Sequence, residues 1–277
     1  MGSYRFSQLD VFASGPLTGN PLAVVHDADG LTGEQMQTFA RWTGLSETTF
    51  LLEPSQAGAD YRVRIFTPTR ELPFAGHPTL GSASAWLSTG RQPHQADRVV
   101  QQCGRGLVPV RVDGDRLAFA APPLNRYEPV EEELLGRIAR GFGLARADVL
   151  DARWLVNGPK WIGLRLASAE QVLGVQLDPA GLDGLDLGLV GPYPAGGEVQ
   201  FEVRALLPGD MSEDPVTGSL NAGLAYWLME SGQAPVRYVA AQGARVGAAG
   251  RVHVEKQGDD LWIGGWVRSV VGGTVAL

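Results

Sequence analysis

Apolar and polar positions alternate with period two in Tyr61-Arg62-Val63-Arg64-Ile65-Phe66, which predicts a half-buried strand. Leu107–Val112, Trp161–Leu166, Val199–Ala205, Arg251–Val254 and Leu261–Ile263 carry a similar pattern. Helical spacing is rarer. Met36, Phe39 and Ala40 follow Thr32-Gly33-Glu34-Gln35, a capping-box signature in which a hydroxyl and a glutamine satisfy opposite ends of the first turn. A surface helix is expected over roughly Glu131–Phe142, with acidic residues in its first turn and Gly143 as its stop.

Two other segments are apolar nearly all round and rich in small residues. One begins near His77-Pro78 and runs through Ala83, Ala85, Trp86 and Leu87 to Gly90. The second begins near Ser219 and runs through Leu220, Ala222, Leu224, Ala225, Trp227 and Leu228 to Gly232. A helix without a polar face must be buried on all sides. Strand patterns flank both, so each is expected to plug a strand-built barrel. The segments also look like copies: Gly76 and Gly218 lie 142 residues apart, Trp86 and Trp227 141 apart, about half of the 277-residue chain. A duplicated domain accounts for this. The expected division is 1–121 and 125–265, joined near Pro122-Pro123-Leu124-Asn125, with a strand at 266–277 able to return to the first half.

Composition narrows the function. Hydrophobic residues make up 44% and charged residues 19%, ordinary for a globular chain, and the 37 glycines favour tight turns and short strands. A net charge of -7 argues against nucleic acid or an anionic membrane as partner, while leaving room for an anion held locally at a helix N-terminus. With Cys103 as the single cysteine, an internal disulfide and a cysteine-rich zinc site are both excluded. No signal-peptide core or span-length apolar run occurs, so a cytosolic protein is expected. Neither a GxxxxGK[ST] phosphate loop nor a GxGxxG helix start is present, and no nucleotide cofactor or metal is expected.

Both apolar helices open on Gly followed by a polar residue, Gly76-His77 and Gly218-Ser219. The unpaired amides there suit a carboxylate or an enolate-like intermediate; the plainer reading is that His77 and Ser219 are N-caps. Glu47 stands at the mouth of the apolar strand Thr48-Thr49-Phe50-Leu51-Leu52, where partial burial suits a carboxylate to general-base work. The residues alone leave open that it caps a turn or pairs with an arginine. Asp214, five residues before Ser219, could orient a substrate amine, act as a second acid or base, or simply form an Asp-Pro turn. His26, His94 and His253 are assigned no role, and the seven tryptophans are read as core.

Four segments together resemble the PhzF-like family, named for an isomerase of phenazine biosynthesis. They are Asp10-Val11-Phe12 with Gly19-Asn20-Pro21-Leu22-Ala23-Val24-Val25; Ser46-Glu47-Thr48-Thr49-Phe50; Glu71-Leu72-Pro73-Phe74-Ala75-Gly76-His77-Pro78-Thr79-Leu80-Gly81; and Glu213-Asp214-Pro215-Val216-Thr217-Gly218-Ser219. The resemblance implies an α+β fold of two pseudo-symmetric diaminopimelate-epimerase-like domains, each a strand barrel around a central helix, with the active site in the cleft between them. It implies a cofactor-free, usually homodimeric isomerase acting on a small acidic metabolite. The family's catalytic glutamate falls on Glu47, its other polar site residues on His77, Asp214 and Ser219, and its substrate-contacting positions on Asn20, Gly76 and Gly218. Two-cysteine epimerases of the same fold need a thiol before each helix-start glycine; here Ala75 and Thr217 stand there. An epimerase of another amino-acid derivative, a hydrolase-like activity and a catalytically idle metabolite-binding protein are the alternatives.

Overall fold

The computed structural model describes residues 2–277. In chain order the elements are β1 (Ser3–Val11), β2 (Asn20–Val25), α1 (Gly33–Thr43), β3 (Thr48–Leu52), β4 (Tyr61–Phe66), β5 (Glu71–Leu72), α2 (Gly76–Leu87), β6 (Arg98–Cys103), β7 (Gly106–Asp113), β8 (Arg116–Ala120), β9 (Arg126–Pro129), α3 (Glu132–Gly141), β10 (Asp151–Val156), β11 (Lys160–Arg165), α4 (Ala169–Gly174), β12 (Asp186–Pro192), β13 (Phe201–Leu207), β14 (Ser212–Asp214), α5 (Gly218–Glu230), β15 (Arg237–Gln242), β16 (Gly250–Gln257) and β17 (Asp260–Ala276). The chain up to Ala120 with Gly264–Leu277 makes one compact unit, and Ala121–Ile263 the other.

In the first unit eight strands pair in a closed ring, β1-β2-β3-β4-β6-β7-β8-β17 and back to β1. Closure leaves no edge along the ring. The ring encloses α2, whose Leu80, Ala83, Ala85 and Trp86 are at most 3% exposed. Trp86 stacks on Tyr61 of β4 with ring centroids 5.8 Å apart. Gly81 lets α2 lie against β2: a Cβ there would sit 2.4 Å from Leu22 Cδ2 and 3.1 Å from Val11 Cγ2. Outside the ring α1 covers Val25, Phe50 and Phe66 with Met36, Phe39 and Ala40. Its start has the expected capping box, with Gln35 N–H donating to Thr32 Oγ1 and Thr32 N–H to Gln35 Oε1.

The second unit repeats the plan. Its strands pair in the order β9-β10-β11-β12-β13-β15-β16, with β14 hairpinned onto β13. Helix α5 fills its interior with Leu220, Leu224, Trp227 and Leu228, each at most 1% exposed. Burying such side chains is worth about 1.5–3 kcal/mol each, which is why helices without a polar stripe end up in barrel interiors. On the outer face α3 and α4 pack Leu135, Ile138 and Val172 against Leu187, Leu189 and Leu206. Among the described residues no helix is long and apolar enough to cross a membrane.

Candidate active site

Glu47 lies in the turn between α1 and β3. The flanking threonines clamp that turn: Thr43 Oγ1 donates to the Ala40 carbonyl and lies 2.9 Å from Thr48 Oγ1. Further on, Ser82 of α2 donates to Thr49 Oγ1 at 3.0 Å, tying the strand that follows Glu47 to the central helix. His77, in the first turn of α2, meets Glu47 with Nδ1 3.3 Å from Oε2. The two side chains are 5% and 16% exposed.

Burial drives the His77 pKa down to about 3, with the Pro21 carbonyl pulling weakly the other way. At neutral pH the ring is uncharged. The contact is therefore a close polar approach and not a salt bridge, since a neutral imidazole carries no charge to pair with the carboxylate. His77 Nε2 is buried and makes no hydrogen bond of normal geometry among the described residues.

Pro21 and the fully buried Asn20 are delivered to this region by the loop after β1. Asp10 organises that loop, accepting the Gly19 N–H at 2.7 Å and the Thr18 N–H at 2.9 Å. Gly19 is obligatory for this arrangement, since a Cβ would sit 2.1 Å from the Val11 carbonyl oxygen.

The other candidates gather at the head of α5. Asp214 ends β14, and Thr217 Oγ1 donates to its Oδ2 at 2.5 Å. Ser219, in the first turn, accepts the Trp161 Nε1–H on its Oγ at 2.9 Å, and Asn157 Nδ2 donates to its carbonyl at 2.8 Å. The N-cap positions of α2 and α5 are Ala75 and Thr217, neither with a capping side-chain bond. His77 and Ser219 are thus first-turn residues and not N-caps, which removes the plainer reading of them. Glu47 contacts a histidine at its carboxylate.

Cys103 sits at the end of β6, its thiol pushed above the usual range by burial. That is the wrong direction for a nucleophile or proton-transfer thiol.

The structure also shows residues that patterning missed. Gln242 of β15 binds the turn before α5, while Gln101 of β6 takes the Tyr61 hydroxyl and donates to Thr79 Oγ1 in the first turn of α2. Gln101 and Gln242 are 141 residues apart, the offset already visible between Trp86 and Trp227, so the repeat could have found them.

Residues 9–262 match the family described as phenazine biosynthesis-like protein. The chain belongs to that family. It is 36% identical over 263 residues, 92% of this chain and 91% of the relative, to the trans-2,3-dihydro-3-hydroxyanthranilate isomerase of Pseudomonas aeruginosa. A solved "predicted epimerase" of the same organism superposes with a TM-score of 0.82 at 28% identity, covering 99% of both chains. A hydroxyproline epimerase from Agrobacterium vitis, solved with trans-4-hydroxy-L-proline, gives a TM-score of 0.63 at 13% identity over 99% of this chain and 93% of its own. That likeness concerns the fold alone, and it agrees with the diaminopimelate-epimerase-like architecture of strand barrels around central helices. The family is one of isomerase-type enzymes.

Proposed function

We propose that this PhzF-like chain is a cofactor-independent isomerase that moves a proton on a small unsaturated or cyclic amino or carboxylic acid, with Glu47 as general base and acid. The observation that carries the reading is the 3.3 Å contact of Glu47 with a histidine held neutral by burial. A neutral imidazole nitrogen donates to a carboxylate in one tautomer and accepts from a carboxylic acid in the other. The contact therefore serves Glu47 in both protonation states, as a group that removes and returns one proton requires.

Asn20, Gly76 and Gly218 are assigned to substrate contact, the glycines through the unpaired amides that open α2 and α5. Asp214 and Ser219 orient the substrate. Ser219 Oγ already accepts from Trp161, which leaves its own hydrogen to donate. The enzyme acts as a homodimer in the cytosol, needing neither metal nor nucleotide.

The substrate of the Pseudomonas relative, a dihydro ring acid bearing an amine, fits this class and is the first probe. Incubation of trans-2,3-dihydro-3-hydroxyanthranilate in D2O with the wild type is expected to give isomerised, deuterated product. Glu47→Gln keeps the shape and removes the basicity, so turnover should fall by about 10²–10⁴-fold with binding nearly intact. Near-normal turnover by Glu47→Gln would refute the assignment. Turnover abolished by a chelator and restored by metal would refute the cofactor-free mechanism.

A further inference from the structure

Gln242 is 1% exposed, and its amide is fully used. Oε1 accepts from the Thr217 N–H at 3.1 Å and from Asn221 Nδ2 at 2.9 Å; Nε2 donates to the Asp214 carbonyl at 3.0 Å and to Thr217 Oγ1 at 3.0 Å. A primary amide has two donor hydrogens and two acceptor lone pairs, so nothing is left over. Its orientation is settled without ambiguity. The Thr217 N–H can only donate, so it must face Oε1, which aims Nε2 at Thr217 Oγ1. The hydroxyl, having accepted from Gln242, has a single hydrogen to place, and Asp214 Oδ2 is 2.5 Å away. Asn221, also 1% exposed, closes the ring by donating to the Thr217 carbonyl at 2.9 Å.

We infer that Gln242 and Thr217 are positioning residues for Asp214: a directed chain, Gln242 N–H to Thr217 O–H to the Asp214 carboxylate, holds Asp214 oriented and ionised. The head of the chain has one direction, because the amide cannot turn round without setting Thr217 N–H against an NH2 group, and the hydroxyl then gives its one hydrogen to Asp214 Oδ2. An ionised Asp214 is an acceptor, the form that takes a substrate ammonium or hydroxyl. This inference rests on the site assignment above. It also gives Thr217 a task at the position where two-cysteine epimerases carry a thiol.

The test reads Asp214 directly and needs no substrate. In the full-length protein the Asp214 side-chain carboxyl is titrated by ¹³C NMR, its resonance assigned by its absence in Asp214→Asn. Thr217→Val, nearly isosteric, is expected to move the midpoint upward, and Thr217→Ser to bring it back. Gln242→Met is expected to move it upward too, and to add less than its own shift when combined with Thr217→Val, because part of its effect passes through that hydroxyl and the rest through the Asp214 carbonyl. An unchanged midpoint in Thr217→Val, or additive shifts in the double variant, would overturn the chain. If Gln242→Met does not fold, the Thr217→Val and Thr217→Ser pair decides, and a Thr217→Val midpoint equal to that of the wild type overturns the chain. With trans-2,3-dihydro-3-hydroxyanthranilate as the probe, Thr217→Val should raise KM about tenfold or more, the worth of one hydrogen bond to a charged group, with a smaller change in kcat. Wild-type protein that does not turn this probe over refutes its use as substrate and leaves the titration result standing.

Discussion

Glu202 is a carboxylate in the wrong place for stability, and removing its charge should make the protein more stable at neutral and alkaline pH. It lies on β13, 1% exposed. The Tyr193 hydroxyl donates to Oε2 at 2.8 Å, and Oε1 has no hydrogen-bond partner among the described residues. Burial raises its pKa from 4.5 to about 7; the Tyr193 bond, Arg251 and Arg204 oppose the rise, and Glu213 adds to it. In the unfolded chain the group ionises near its ordinary value. Between that value and about 7 the folded protein holds the extra proton, so stability falls as pH rises through this window and stays lowered above it. The full shift corresponds to about 3 kcal/mol, and allowing for residual solvent screening, about 2 kcal/mol.

Glu202→Gln is neutral at every pH and still accepts from Tyr193. Urea unfolding of wild type and variant at pH 5 and pH 8, compared where the m-value is unchanged, isolates the effect. The variant should exceed the wild type by about 0.5 kcal/mol at pH 5 and by about 2 kcal/mol at pH 8. Equal differences at both pH values, or a variant less stable at pH 8, would refute the reasoning.

The His77 ring, held neutral down to about pH 3, should show no imidazole titration by NMR between pH 4 and 8; a midpoint near 6.5 would mean that the ring is wet or charged. Because the unfolded ring takes a proton near 6.5, this burial costs stability as pH falls below that value. Gly19→Ala forces a Cβ to within 2.1 Å of a backbone oxygen in the loop that leads to Asn20 and Pro21, so activity should drop more than tenfold and the melting temperature should fall with it. A fully active Gly19→Ala enzyme would show that the loop's placement does not matter. Trp227→Ala opens a cavity inside the second barrel and should cost about 3–5 kcal/mol, read by denaturant unfolding; a loss under about 1 kcal/mol would contradict the plug arrangement.

Much of the architecture is written locally. Period-two alternation in Tyr61–Phe66 marks a strand because successive side chains point to opposite faces. The capping box at Thr32 and the all-round apolar character of Ala83–Trp86 and Leu220–Leu228 mark helix start and burial in the same local way. These signals depend on spacings of two to four residues, which the chain carries whatever its tertiary fold. The Gly-polar starts of α2 and α5 were equally legible as features, though whether His77 and Ser219 capped those helices was not. Backbone geometry decides a cap, and it placed Ala75 and Thr217 there.

The site's chemistry needed the fold. Glu47 and His77 are thirty residues apart and meet only because β3 and α2 belong to one closed barrel. Burial inside that barrel, not the residue type, makes His77 neutral. Gln242 reaches Thr217 across twenty-five residues because β15 runs parallel to β13, with Val203 opposite Gln242 and Ala205 opposite Asp214. A pattern of apolar positions records which side of an element is buried. Which polar atoms are left facing one another in that dry interior is set by strand register and barrel closure, and these are properties of the whole chain.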